Sequence, residues 1–306
     1  MVVGQPCVGP RGAGGTILAA PVTVRFLVSL VITGAACGGG SSGGLPDSGP
    51  DASGIDFPAG EPQIVIGQRV DGAASIDVRI WANWWAEPLP DPYHLVSESG
   101  PCVLRATEST FCDFCEGLCI DGACQPYPTA RPAGRLTVSG GANPVEMDPV
   151  DGSYDFYGAA PLFAPGDRIR VTATGDAVPA FEVETRAVAE LAAPGIDDLA
   201  LVPGEDFRIS WTVADPDSRV RLRLESDQHG QNSPTVIECD VVDAAGSIAV
   251  PGDMIAAFWS NPGVCGECPV QSLVRYGRGT ATAGDETVMV EYSSERWFYP
   301  YDLEPY

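Results

Sequence analysis

Apolar and polar residues alternate along the chain from Gln63 onward, in short segments separated by Gly, Pro and Asp. A period of two residues is that of a β-strand with one buried face. The first two segments contain Ile64 and Ile66, then Ile76, Val78 and Ile80, on either side of Asp71-Gly72. Asp-Gly suits a tight hairpin turn. Because no stretch has a convincing helical period, the pattern predicts an all-β protein.

The remaining predicted strands fall into two series, which predicts two β-sandwich modules over residues 62–192 and 193–306. Ala192-Ala193-Pro194-Gly195 marks the boundary. The strands are expected at 135–139, 154–157, 168–174 and 181–188, then at 207–213, 220–224, 236–242, 247–250, 273–276 and 287–298. The spacing in the second series resembles that of an immunoglobulin-like or fibronectin type III-like sandwich. Trp211 is the expected core aromatic.

The phrase Pro-Gly-Asp/Glu recurs at residues 165–167, 203–205 and 251–253. Pro and Gly suit a tight turn, and twice the phrase leads into a predicted strand. The recurrence is compatible with two modules that are distant copies of one sandwich.

Residues 1–36 have the character of a secretory leader. The segment 26–36 is apolar, follows Arg25 and ends in small residues. It is too short to span a bilayer, which needs roughly 20 apolar residues, so we expect it to be removed. Residues 1–20 are rich in Gly and weakly charged, which favours a true start near Val22 or Val24.

Cys37 follows the apolar run directly and precedes a Gly/Ser run. This arrangement resembles the signal of bacterial lipoproteins, in which such a Cys becomes the lipidated N-terminus. Ala35 and Ala36 fit the lipobox, whereas Gly34 stands where Leu is usual. Gly34-Ala35-Ala36 equally fits ordinary signal cleavage, which would release a soluble protein. Residues 37–61 lack large apolar side chains and are expected to form a disordered tether.

The chain is strongly acidic, with 41 Asp and Glu against 17 basic residues, all of them Arg, and a formal charge of −24. Such a field repels phosphate backbones and argues against nucleic-acid binding. Calcium and cationic partners remain compatible with it. The leader and this charge predict an exported protein of the bacterial cell envelope, anchored at the outer membrane through its lipid or extracellular.

Eight cysteines follow the tether. Five lie within a predicted Cys-rich insertion over residues 102–125, and three lie in the second module, so each module holds an odd number. One bridge between the modules would pair all eight, which are Cys102, Cys112, Cys115, Cys119, Cys124, Cys239, Cys265 and Cys268. In an exported chain this spacing predicts disulfides.

Two alternative roles for the cysteines compete with structural bridges. Cys112, Cys115, Cys265 and Cys268 form two CxxC pairs that have the ligand types of a zinc site. Cys265-Gly-Glu-Cys268 also has the spacing of a thiol oxidoreductase motif, without the βαβ unit that such a motif accompanies.

Catalytic motifs are scarce. His94 and His229 are the only histidines, and no GxSxG motif follows a predicted strand as a nucleophile elbow requires. Asp148, Asp151 and Asp155 cluster within eight residues, where their oxygens are candidate calcium ligands outside any EF-hand register. Turn chemistry alone also accounts for such Asp-Gly and Asp-Pro pairs. No other cofactor is expected.

The aromatic run around Trp81 is the most informative candidate for binding. Flat aromatic rings on a sheet stack on sugars or seat the apolar groups of a protein partner, and they also fill cores. The candidate ligand-binding residues are Trp81, Trp84, Trp85 and Tyr93. The sequence thus favours a non-enzymatic envelope lipoprotein with a binding or structural role for a glycan or protein partner. The alternative is a secreted hydrolase or metal-dependent enzyme whose acidic residues meet only in the fold.

Overall fold

A computed structural model describes residues 62–71, 74–107, 112, 117–226, 234–260 and 271–300. The predicted leader, the lipidation site Cys37 and the tether lie outside these residues. Among the described residues there are 17 strands and one α-helix, so the prediction of an all-β protein is confirmed. Within the same ranges, no helix has the length and apolar character needed to cross a membrane.

Nine strands form one large sheet, in the order β3-β4-β14-β13-β16-β17-β1-β2-β9. All neighbouring pairs are antiparallel except β1 and β17, which are parallel. The strands are β1 Ile64–Asp71, β2 Ala74–Ala82, β3 His94–Ser99, β4 Cys102–Ala106, β9 Tyr154–Ala159, β13 Arg219–Glu225, β14 Thr235–Val242, β16 Gln271–Ala283 and β17 Glu286–Phe298.

Three smaller sheets complete the described structure. A four-stranded sheet has the order β11-β10-β7-β8, and two pairs are β12-β15 and β5-β6. Their bounds are β5 Gly117–Ile120, β6 Ala123–Pro126, β7 Leu136–Ser139, β8 Val145–Met147, β10 Arg168–Ala173, β11 Phe181–Arg186, β12 Phe207–Ser210 and β15 Ser247–Val250. The helix α1 is Gly252–Trp259.

Two hydrophobic cores form on the same face of the nine-stranded sheet, which we call the inner face. Alternate residues of β17 show this, because Val288 and Val290 lie in the first core and Phe298 lies in the second. The four-stranded sheet covers the first core. The pair β12-β15 and helix α1 cover the second, where Trp211 is buried as predicted.

Strands from both predicted modules meet in the large sheet. β4 lies in the segment that was expected to be a Cys-rich insertion, yet it pairs with β14 of the second series. The bridge Cys102–Cys239 joins these two strands at directly opposite positions and closes a separation of 137 residues. It is a bond between the two predicted modules, of the kind that would pair all eight cysteines. All described residues belong to one compact unit.

β16 and β17 are each 13 residues long and extend past both cores. The sequence predicted only 273–276 for β16, because Gly277 and Gly279 weaken a strand pattern. The structure shows why glycine stands there. A Cβ at Gly279 would lie 1.7 Å from the carbonyl oxygen of Glu184, and one at Gly277 would lie 3.3 Å from Val188. At Gly279 the strand passes against β11 with no room for a side chain, and at Gly277 a side chain would be in tight contact with the segment that follows β11.

Helix α1 was not predicted, because eight residues are too few to display a helical period. Its first residues are the third Pro-Gly-Asp phrase, whereas the two earlier phrases form turns with positive φ at Gly166 and Gly204. The start of the helix packs on the second turn, and a Cβ at Gly252 would lie 2.4 Å from the carbonyl oxygen of Gly204. Asp206 accepts a hydrogen bond of 2.8 Å from the Gly252 N–H.

A fully buried ion pair lies on the inner face between the two cores. Arg275 Nε and Nη2 donate to Asp243 Oδ1 at 3.0 and 2.7 Å, and neither side chain is exposed. The same guanidinium donates to the carbonyls of Ala189, Glu190 and Thr212 at 3.2, 2.7 and 2.6 Å. Arg275 therefore ties the segment that follows β11 to the second core.

Asp243 completes this junction with its other oxygen. Oδ2 accepts the N–H groups of Ala214 and Asp215 at 3.0 and 2.8 Å, and the Asp243 carbonyl accepts the Trp211 indole N–H at 3.0 Å. Both members of the pair thus have their polar atoms satisfied. A buried ion pair is tolerated only under that condition, since desolvation of each charge costs several kcal/mol.

We predict that Arg275→Met lowers the free energy of unfolding by about 3–5 kcal/mol, because it leaves the Asp243 charge buried without its partner. Arg168→Met is the matched control, since Arg168 is 76% exposed and pairs only at the surface with Glu184. The control should change stability by no more than about 0.5 kcal/mol. Urea unfolding measures both, and similar losses in the two variants would contradict this role for Arg275.

Candidate functional site

The opposite face of the nine-stranded sheet, which we call the outer face, is not covered by the four-stranded sheet or by β12-β15. Strand alternation brings an unusual set of side chains to it. Seven of the chain's 17 basic residues lie here, although the chain as a whole is strongly acidic. They are Arg69, Arg79, Arg105, Arg219, Arg221, Arg223 and Arg278.

Acidic residues lie opposite or beside these arginines and pair with them. Arg79 binds Asp155 at 3.0 Å, Arg219 binds Asp240 at 2.6 Å, and Arg69 and Arg223 bind Asp77 and Glu225. Cross-strand pairs of opposite charge stabilise a sheet modestly. Here they also hold long side chains in fixed positions and make the outer face close to neutral.

Glu291 is the most deeply buried acid of the outer face. Only 2% of its side chain is exposed, and it accepts from Arg221 and Arg278, each at 2.9 Å. Burial is the largest single influence on the pKa of Arg221 and lowers it, but the charge and hydrogen bond of Glu291, together with the charges of Glu238 and Tyr276, raise this pKa overall. Both guanidinium groups also lie over the Tyr276 ring, at 4.7 and 5.0 Å from its centroid. Glu291 and the Tyr276 ring therefore hold both guanidinium groups in place.

Two adjoining depressions lie in the outer face, and together we call them the trough. The first has a volume of about 280 Å³ and reaches from β9 to β13. The second has a volume of about 130 Å³ and lies on β13, β14 and β4. Arg221 lines the first and Arg223, two residues along the same strand, lines the second. The trough therefore crosses the strands.

The floor of the first depression is low because the residues at its centre are small. Gly67 on β1 is opposite Ser293 on β17, and Val65 and Val274 flank them. A Cβ added at Gly67 would find Ser293 Oγ as its nearest neighbour, at 3.6 Å, which is ordinary contact. The glycine is therefore not required by packing against another part of the chain.

Aromatic rings and charged groups border this floor. Trp81, Tyr157 and Trp297 line the first depression. Arg79 lies 5.3 Å from the centroid of the Tyr157 ring and Arg69 lies 4.8 Å from that of Trp297, so each ring is held by a stacked guanidinium. Tyr157 and Trp297 are nevertheless 65% and 40% exposed.

Glu295 is the one carboxyl group lining the trough whose pKa is raised. Burial raises its pKa above the ordinary value, although a hydrogen bond with Trp297 lowers it. The other acids of the first depression, Asp77 and Glu291, are each paired with arginine. Carboxylates held beside guanidinium groups accept hydrogen bonds, so this set is suited to binding polar groups.

The four predicted binding residues do not form one patch. Trp81 lines the first depression and Tyr93 lines the second. Trp84 is only 4% exposed and packs in the first core, against Tyr154 and Phe181. Trp85 stacks on Tyr127 with ring centroids 6.1 Å apart and lines neither depression. The predicted patch is corrected accordingly, and only Trp81 and Tyr93 belong to the trough.

Sequence reasoning missed most of the trough. The signal was present in β13, where Arg219, Arg221 and Arg223 alternate with apolar residues, and their parity places all three on the outer face. The same parity separates Trp81 from the inward-facing Val78 and Ile80. What the alternation did not reveal was the strand order that brings these residues together.

The cysteines that the structure describes are in disulfides. Besides Cys102–Cys239, a bond joins Cys112 to Cys119 beside the β5-β6 hairpin, and Cys124 is also disulfide-bonded. Because Cys112 is bonded to Cys119, it is not a thiolate ligand of the zinc site considered above. Cys115, Cys265 and Cys268 lie outside the described residues.

The calcium site expected at Asp148, Asp151 and Asp155 is not formed. Asp148 pairs with Arg135 at 2.9 and 3.0 Å, and Asp155 pairs with Arg79, so these two carboxylates point to separate arginines. Asp151 occupies a turn with φ of 50°. Among the described residues, no three His, Cys, Asp or Glu side chains are grouped to hold a metal ion.

Comparisons with known proteins add little to this description. No family model matches the chain, and no curated protein matches its sequence. Among solved structures, the FN1-FN3 domains of chicken CNTN1 are 8% identical and match over 71% of this chain and 77% of that chain, with a TM-score of 0.19. At that score the similarity carries no argument. The all-β assignment rests on the strands and cores described above.

We predict different outcomes for two neighbouring tryptophans. Trp84→Ala should lower the free energy of unfolding by about 3–5 kcal/mol, since it empties a core position. Trp81→Ala should cost about 1 kcal/mol or less, because Trp81 lies on the outer face. Chemical unfolding of both variants measures the difference. Equal losses would mean that Trp81 also belongs to a core and is no part of a binding surface.

Proposed function

We propose that the protein is a non-enzymatic, exported binding protein of the bacterial cell envelope, and that it recognises its ligand with the trough on the outer face. The observation that carries this proposal is the contrast between the two sides of the large sheet. The inner face is buried under two cores, whereas the outer face concentrates arginines, paired acids and exposed aromatic rings around a depression.

Several features support binding rather than chemistry. Charged side chains in the trough are locked by partners, as Glu291 is between two arginines. A preorganised surface loses little conformational entropy when a ligand binds, which favours affinity. General acid–base catalysis instead needs a group that exchanges protons near neutral pH. In the first depression Asp77 and Glu291 are each engaged by an arginine, and Glu295, whose pKa burial raises, is the one acid there that departs from this pattern.

We also propose export and anchoring, on the basis of the disulfides and the N-terminal segment. Disulfides such as Cys102–Cys239 and Cys112–Cys119 form and persist in oxidising compartments, which supports folding outside the cytoplasm. The apolar leader, Cys37 and the Gly/Ser run behind it support lipidation at Cys37. The tether 37–61 would then hold the folded unit away from the membrane surface.

Intact mass of the mature protein, extracted from membranes of a bacterial host that processes lipoproteins, tests the anchor. We expect a chain that begins at Cys37 and carries a diacylglyceryl group, and we expect Cys37→Ser to remove both the lipid and membrane retention. A mature chain that begins at Cys37 without lipid would replace anchoring by simple secretion. A retained leader would contradict export by this signal.

Hydroxyl-radical footprinting tests recognition by the outer face. Tyr157 and Trp297 should be oxidised several-fold more slowly on intact cells than in purified protein, because a ligand covers them. Tyr127 is the matched control, since it is 52% exposed and lines neither depression. Its reactivity should not change. Equal reactivity of all three residues in both samples, or equal protection of Tyr127, would contradict the proposed surface.

A further inference from the structure

The geometry of the trough points to a linear, uncharged oligosaccharide as its ligand, lying across the strands. We propose this as the substrate class of the surface described above, so the inference rests on the proposed function. It is argued from charge, from the groups that border the floor and from the shape of the trough.

Each of the two depressions is lined by equal numbers of arginines and acids. Three arginines and three acids line the first depression, and two of each line the second. The chain as a whole carries a formal charge of −24. An anionic ligand would meet arginines that are already paired and an acidic protein around them. A polar ligand without net charge meets neither penalty.

The bordering groups are those that recognise sugars. The C–H faces of a sugar ring pack on aromatic rings, and Trp81, Tyr157 and Trp297 offer such rings around a floor of Gly67 and Ser293. Hydroxyl groups both donate and accept, so they suit a surface on which guanidinium donors and carboxylate acceptors alternate. Arg69, Asp77 and Glu295 provide this alternation beside the floor.

The shape of the trough favours a chain of sugars over a single one. From Tyr157 on β9 to Arg221 on β13, the first depression alone crosses five strand spacings, or roughly 24 Å. Strands in the middle of the sheet already have partners on both sides, so the trough offers side chains and no free main-chain edge. A peptide added as a strand needs such an edge. An oligosaccharide needs only the side chains.

Gly67→Val blocks the floor while leaving the strand intact. Valine suits a strand, and its Cβ would lie 3.6 Å from Ser293 Oγ. Thr282→Val is the matched control, because Thr282 is exposed on β16 and lines neither depression. The probes are cellohexaose, xylohexaose, mannohexaose and chitohexaose N-acetylated on every unit, with a heparin-derived hexasaccharide as the anionic comparison. Titration calorimetry on the full mature chain measures binding.

We expect at least one neutral hexasaccharide to bind, and its disaccharide to bind more weakly. Gly67→Val should weaken that binding at least about tenfold, and Thr282→Val should leave it within about twofold. Thermal melting verifies that both variants fold. If Gly67→Val does not fold, Trp81→Leu replaces it with the same expected loss.

Three results would overturn the inference. They are the absence of binding by all neutral probes, tighter binding of the heparin hexasaccharide, and neutral binding that survives the floor substitution. Protection of Tyr157 and Trp297 on cells, combined with any of these, would leave the proposed function standing and exclude the oligosaccharide. If Tyr157 and Trp297 are not protected on cells and no hexasaccharide binds, both the proposed function and the oligosaccharide inference are contradicted.

Discussion

The buried pair of Arg275 and Asp243 is the interaction on which the architecture depends. It lies where the two hydrophobic cores meet on the inner face of the large sheet. A charge in such a place is stable only when every polar atom has a partner. The guanidinium donates to carbonyls of the segment after β11 and of the second core. Ser294 Oγ accepts a further hydrogen bond from the Leu191 N–H at 2.9 Å. The linking segment is thereby fixed to the sheet.

The shared sheet explains the functional surface. β16 and β17 pass both cores, β1 joins β17 in parallel, and the Cys102–Cys239 bond fastens β4 to β14. Only this arrangement places Trp81, Arg221 and Tyr93 along one face. The trough is thus a property of the combined sheet, and neither core alone would provide it. Its paired charges are held in position because the strands beneath them are held.

Local structure was largely readable from the sequence, and long-range pairing was not. Alternation located β7, β10, β14 and β15 closely, since each has one buried face. It predicted too short a β16, because Gly277 and Gly279 interrupt the strand pattern. Glycine stands at these positions because β11 and the segment after it leave little space for side chains. Sequence reasoning grouped Trp84 with Trp81, although Trp84 lies beyond the end of β2 and packs in the first core. The zinc hypothesis combined two CxxC pairs that lie far apart in the sequence, and the calcium hypothesis relied on residues close in sequence. The fold gives Cys112 and Asp148 other partners. Strand order depends on contacts across the whole chain, which spacing does not encode.

We expect the two cores and their common sheet to unfold as one cooperative unit. Fluorine NMR of protein labelled with 5-fluorotryptophan tests it directly, because Trp84 reports on the first core and Trp211 on the second. In a urea titration, we predict that the folded resonances of both residues disappear with the same midpoint. Separate midpoints would contradict the account, since they would show that one core unfolds while the other keeps the sheet.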